Sequence, residues 1–237
     1  MMPINSSISN ETEMVKMLAS ALKQEFNTDI AIQEFAAGYG IADLAFAKNF
    51  LTEENILDRT PINNYYALKS YLGLINKVPF TLKDIIKLSG TSNHISEKVI
   101  SYLLNEHYIY KDDKFYYKSN TVFKNPIKKI VAIEAKLKNW KQGILQARRY
   151  KSYTDECYLA ILSRYERNID YSYLNKFGIG LILFNEKNGG IWIKQKPRKN
   201  SLLSFYEEVM GVFAKELFLH QTNVLNPQNF SKISFHV

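Results

Sequence analysis

From Ile130 to Ala135 only Glu134 interrupts an apolar run, and Lys136 follows at once. A run of this kind fits a strand buried on both faces. Alternation along Lys129 to Lys136 puts Ala132, Glu134 and Lys136 on one face and Val131, Ile133 and Ala135 on the other. Two residues of rise set the Glu134 and Lys136 Cα atoms roughly 6.6 Å apart, so both tips can converge on one metal, water or phosphate oxygen. On an edge strand leaving its sheet the same two charges would simply meet water.

The remaining pattern supplies elements around that strand. Asn10, with Glu13 three residues on, forms a capping box that opens a helix to about Phe26. Its apolar face is Met14, Val15, Leu18, Ala21, Leu22 and Phe26, with Glu11 at the centre of that face. Glu11 either serves a site there or complements the helix dipole. Ala31 to Ala36 and Ile41 to Ala47 read as strands of a hairpin turned at Gly38-Tyr39-Gly40. Asp43 shares a face with Ile41, Ala45 and Ala47; it is a functional carboxylate, or an aspartate satisfied by a neighbouring turn.

Thr52 to Asn64 is a polar link, and the pattern then changes. Helices are expected over Tyr65 to Asn76, Thr81 to Leu88 and about Asn93 to Glu106, followed by a hairpin of Tyr108 to Tyr110 and Phe115 to Tyr117. This order is the layout of a winged helix, whose third helix usually enters the major groove. Thr91, Ser92, Asn93, His94 and Lys98 are its candidate DNA contacts, with Lys111 and Lys114 on the wing. Docking of a protein is the other use of such a module. Beyond the organising strand, Asn139 opens a helix to about Tyr153 that carries Gln142, Gln146 and Tyr150 at four-residue spacing. Cys157 to Leu162, Ile179 to Phe184 and Ile191 to Lys194 read as strands, and Leu202 to Leu219 as a last amphipathic helix.

Charge sharpens this picture. The chain of 237 residues has a formal charge of +8, which favours a polyanionic partner. Nine basic residues lie between Thr121 and Lys151 against one acid, Glu134. A single cysteine excludes an internal disulfide framework, and the four histidines lack zinc-site spacing; a reducing, cytoplasmic setting is expected. No apolar stretch is long enough to span a bilayer, and the polar N-terminus does not read as a signal peptide, so no membrane partner is expected.

Helix, hairpin with Asp43, strand with Glu134-Ala135-Lys136, helix and strand together resemble the PD-(D/E)XK nuclease superfamily, the restriction-endonuclease-like fold. Glu134-Ala135-Lys136 matches the (D/E)XK half, while Ala42 stands where the namesake proline would be. Gln146-Ala147-Arg148-Arg149-Tyr150 looks like the QxxxY motif of the RecB-like branch, and Glu11 takes the place of the helical glutamate of many members. The resemblance implies an α/β fold, a mixed central sheet flanked by helices. It divides the chain into a discontinuous nuclease domain (1–61 and 120–237) and an inserted winged helix-turn-helix domain (62–119).

The resemblance also implies a Mg²⁺-dependent (or Mn²⁺-dependent) deoxyribonuclease. Asp43, Glu134 and the Ala135 carbonyl would hold the metal, with Glu11 binding a second ion or a metal-bound water. Lys136 would activate the attacking water, and Gln146 and Tyr150 would position the strand. Lys138, Lys141, Arg148 and Arg149 would contact phosphates. DNA is the expected partner, RNA remains open, and a second copy of the chain or a regulatory protein are further candidate partners. The alternative class is a non-catalytic winged-helix DNA-binding regulator or assembly component on a nuclease-like scaffold.

Overall fold

Asn10 accepts a hydrogen bond from the Glu13 N–H at 2.8 Å and so starts the first helix, α1 (Glu11–Phe26). Asn27, in the left-handed conformation, ends it. The computed structural model describes residues 8–51, 59–119, 123–198 and 204–225. The chain forms two compact units, one of Met1–Leu51 with Ile127–Val237 and one of Thr52–Pro126. The link after residue 51 therefore goes with the smaller unit, where Arg59 lies over the Phe123 ring and that ring packs on Tyr71.

The larger unit is built on a mixed six-stranded sheet in the order β1-β2-β5-β6-β7-β8. Its strands are β1 (Ala31–Gly38), β2 (Gly40–Phe50), β5 (Ile127–Lys136), β6 (Glu156–Leu162), β7 (Gly180–Phe184) and β8 (Ile191–Gln195). The pairs β5/β6 and β6/β7 are parallel and the other three antiparallel. Parallel neighbours need crossovers, and α5 (Trp140–Tyr150) supplies the first. The second holds a 3-10 segment (Ser163–Asn168) and α6 (Tyr171–Phe177), neither evident in the hydrophobic pattern.

The alternation expected for β5 sorts its side chains between two layers. Val131, Ile133 and Ala135 join Leu44, Phe46 and the apolar face of α1 in one continuous core. Ala132, Glu134 and Lys136 face the other layer, formed by α5 and the last helix, α7 (Phe205–Thr222). That last helix buries Val209, Met210, Ala214 and Phe218, with Phe218 edge-on to Phe35 of β1. Phe205, at its first turn, is exposed.

The smaller unit holds α2 (Tyr65–Gly73), α3 (Leu82–Ser89), α4 (Asn93–Asn105) and the hairpin β3 (Ile109–Asp112) with β4 (Phe115–Lys118). Thr81 and Asp84 close a capping box on α3, and Gly90 (φ 73) ends it in the left-handed conformation that glycine adopts freely. A bridge between Phe80 and Tyr116 adds a third short segment to the hairpin. Among the described residues no helix is long and apolar enough to cross a membrane.

Close approach of α5 to the sheet rests on Gly143. A Cβ there would stand 2.5 Å from Leu159 Cδ1 and 2.9 Å from Lys136 Cγ. Alanine is the better helix former, yet overpacking costs more than that preference returns. Gly143→Ala should lower stability by about 1–2 kcal/mol in urea unfolding, whereas an unchanged midpoint would mean that α5 is not docked this tightly.

Candidate active site

β5 is an interior strand, and that placement decides between the two readings of its charges. Glu134 is 1% exposed and Lys136 7% exposed, so neither end of the pair meets bulk water. Lys136 Nζ lies 2.8 Å from Glu134 Oε1 and donates a hydrogen bond to Glu11 Oε2 at 3.1 Å. Glu11 reaches the pair because α1 begins beside the C-terminal end of β5; its own side chain is nearly half exposed. The acid on the core face of α1 thus has a partner beyond the helix dipole.

β2 contributes Asp43 one residue past the paired stretch that ends at Leu44↔Ile133. There Asp43 Oδ2 accepts the Ala135 N–H at 2.7 Å, tying the two strands where their ladder stops. The Glu134 carboxylate is held from the other side by α5. Tyr150, buried at 1% exposure, has its hydroxyl 2.5 Å from Glu134 Oε2 and 2.7 Å from the Ile41 carbonyl. A phenol has one proton for these two acceptors. The Glu134 carboxylate and the Ile41 carbonyl therefore share it.

Electrostatics runs the same way. Burial pushes the Glu134 carboxyl up, the Asp43 charge adds to it, and hydrogen bonds from Lys136 and Tyr150 only partly offset them. Asp43 is also raised, chiefly by burial; the Ala135 N–H and Lys136 oppose this, while Glu11 and Glu34 reinforce it. Burial pulls the Lys136 ammonium down, but Glu134 and Glu11 outweigh it and leave the group above its ordinary value. Burial and the Glu134 carboxylate hold the Tyr150 phenol well above its usual range.

Two desolvated carboxylates, one of which raises the other, flank the Ala135 peptide and offer the kind of oxygen donors a hard divalent cation takes. Asp43, Glu134 and the Ala135 carbonyl therefore fit Mg²⁺ or Mn²⁺, ions that keep several waters in their shell. Among the described residues no three His, Cys, Asp or Glu side chains converge closely enough to enclose an ion unaided. Glu11 sits on Lys136 and so stands one step back from the two carboxylates.

Gln146 lies on α5 one turn before Tyr150, half-buried, and its Oε1 is buried without a hydrogen-bond partner among the described residues. Gln142, at the same spacing, is exposed and shares bonds with the Asn139 cap. Lys138, Lys141, Arg148 and Arg149 are exposed, with Arg148 over the Phe177 ring and Lys141 over Trp140. In the smaller unit Ser92, Asn93, His94, Lys98, Lys111 and Lys114 are exposed. Thr91 is half-buried; its hydroxyl contacts those of Ser89 and Ser96 and closes the turn before α4.

Sequence reasoning missed Glu34, whose charge acts on Asp43 from the neighbouring strand. Gln33↔Leu44 and Phe35↔Ala42 place Glu34 opposite Asp43, and its φ of 54° breaks the regular strand there. An acid beside Gln33, in a strand whose other residues are apolar or glycine, was the available signal. Compared with protein-family models, curated proteins and solved structures, the chain shows no match.

A carboxyl raised on folding binds its proton more tightly in the folded state, so stability falls as pH rises from the unfolded value, 3.8 for Asp43. Asp43→Asn keeps an acceptor for the Ala135 N–H and removes the charge. In EDTA the variant should melt above the parent at pH 7–8, and the gain should shrink as pH falls and be gone below the unfolded value of 3.8. A gain independent of pH would contradict the assignment.

Proposed function

We propose that the chain is a metal-dependent nuclease that hydrolyses phosphodiester bonds of DNA, on a restriction-endonuclease-like core with an inserted winged helix. The observation that carries this reading is the buried Glu134–Lys136 pair on an interior strand, with Asp43 fastened to the intervening Ala135. Unpaired buried charges cost several kcal/mol, so a scaffold without chemistry gains nothing by keeping them. A bound Mg²⁺ or Mn²⁺ would polarise the phosphate and lower the pKa of a water.

The side chains divide the rest of the work. The Lys136 ammonium has three donors; Glu134 and Glu11 take two, which leaves one for the attacking water or a non-bridging phosphate oxygen. Held by these two acids, Lys136 keeps its charge and offsets the negative charge that grows on the phosphorus oxygens. Tyr150 fixes the Glu134 carboxylate by one oxygen, which leaves the other to the lysine. Gln146, with a buried and unpaired oxygen close to this cluster in sequence and on the same helix, is suited to orient the strand being cut.

Charge supports DNA contact mainly through the larger unit. Residues 52–126 carry 10 basic and 8 acidic side chains, so most of the +8 lies outside them. Non-specific, salt-sensitive affinity scales with neutralised phosphates and so belongs to Lys138, Lys141, Arg148 and Arg149. The near-neutral winged helix is suited to read shape or duplex edges through Asn93, His94 and Lys98, and its balance favours a regulatory protein as the second reading of its partner.

Incubation with supercoiled, linear and single-stranded DNA in Mg²⁺, Mn²⁺ or EDTA tests the proposal. Metal-dependent cutting is expected, with Lys136→Ala and Asp43→Asn at least about 100-fold slower and circular dichroism unchanged. Cutting by Lys136→Ala at the parental rate would overturn the assignment.

A further inference from the structure

The β1–β2 turn is the place where the larger unit exposes apolar side chains beside the carboxylates. Gly38 pairs with Gly40, so Tyr39 alone forms the tip. Both glycines sit in close quarters, and Gly40 also in a backbone conformation that other residues rarely adopt. A Cβ at Gly38 would stand 3.0 Å from both the Tyr153 ring and the Met210 methyl, and Gly40 has φ 93 with the Tyr150 ring 3.0 Å from its Cβ position. The residues flanking the tip are therefore packed close against the Tyr150 and Tyr153 rings.

Tyr39 is 66% exposed and Ile41 59% exposed. Ile41 is nonetheless one hydroxyl from the chemistry, since its carbonyl accepts from the Tyr150 group that also meets Glu134. Arg149 runs along the same turn, its Cδ 3.7 Å from the Gly40 Cβ position, and is itself exposed. An exposed aromatic residue, an exposed branched apolar residue and an exposed arginine thus belong to this turn and the helix end packed on it, with Asp43 two residues beyond Ile41.

We infer that Tyr39, Ile41 and Arg149 form a stacking subsite for an unpaired nucleotide adjoining the phosphate to be cut. The inference rests on the nuclease reading and narrows its substrate to strands with unpaired bases: single strands, frayed ends or junctions. A duplex hides its base faces in the stack, whereas an unpaired base offers a π-face to Tyr39 and its phosphate to Arg149. Ile41 covers the edge of the stacked base and keeps water from it. Every base has such a face, so the subsite selects strandedness and not sequence.

A single-stranded oligonucleotide with one 2-aminopurine, and a duplex of the same sequence, titrated in EDTA against the parent, Tyr39→Ala and Tyr39→Phe, test the subsite. The parent and Tyr39→Phe should quench the 2-aminopurine of the single strand, and Tyr39→Ala should lose the quench and about tenfold in affinity, with duplex affinity the same for all three. Quenching by Tyr39→Ala equal to the parent's, or an equal loss on single strand and duplex, would overturn the inference. If the parent cuts DNA but its quench does not depend on Tyr39, only the subsite falls. A parent that binds neither oligonucleotide and cuts no DNA would remove the nuclease reading as well.

Discussion

The ion pair between Glu134 and Lys136, buried in the middle of the sheet, is the constraint that the larger unit is arranged around. Taking both charges out of water costs several kcal/mol each, and their attraction returns this only when the remaining lone pairs and protons also find partners. Each flanking element provides one. α1 delivers Glu11 to the lysine, α5 delivers Tyr150 to the glutamate, and β2 delivers Asp43 to the peptide between them. Removal of any of these leaves a buried group short of a bond, and the adjoining layers carry that cost.

Close packing makes the same network geometrically demanding. Gly143 lets α5 lie on β5 and β6 near enough for Tyr150 to reach Glu134, while Gly38 and Gly40 let the β1–β2 turn settle on Tyr153 and Tyr150. The aromatic groups Phe35, Phe218, Tyr150 and Tyr153 join these contacts into one layer. The site is thus supported from the α5/α7 side by aromatic packing and from the other side by the aliphatic core under α1. Asp43 and Glu134 nevertheless keep an unfavourable balance, each raised by burial and by acids around it. A divalent cation bound between them would offset that balance.

Much of this was legible in the chain because it rests on short-range rules. The run ending in Glu134 and Lys136 gave a buried strand through its period of two, Asn10 and Thr81 gave helix starts through their caps, and Gly38-Tyr39-Gly40 gave a turn. What stayed hidden depends on partners distant in sequence. The 3-10 segment and α6 lie in a polar connection without helical periodicity. Glu34 was hidden because the backbone turns left-handed there, which alternation cannot foresee. The Asp43 bond to Ala135 spans 92 residues, and only the folded sheet brings the two together.

The proposal stands or falls on whether Asp43 and Glu134, both raised by burial, would hold a divalent cation. Thermal unfolding of metal-free protein titrated with Mn²⁺ or Mg²⁺ at neutral pH addresses it without reference to any substrate. A ligand that binds only the folded state raises stability by RT ln(1 + [L]/Kd), about 2.7 kcal/mol at a hundredfold excess over Kd. The parent should gain stability along such a saturating curve, and Asp43→Asn should lose most of that gain. Equal response of the two proteins, or no response to either ion, would contradict the account.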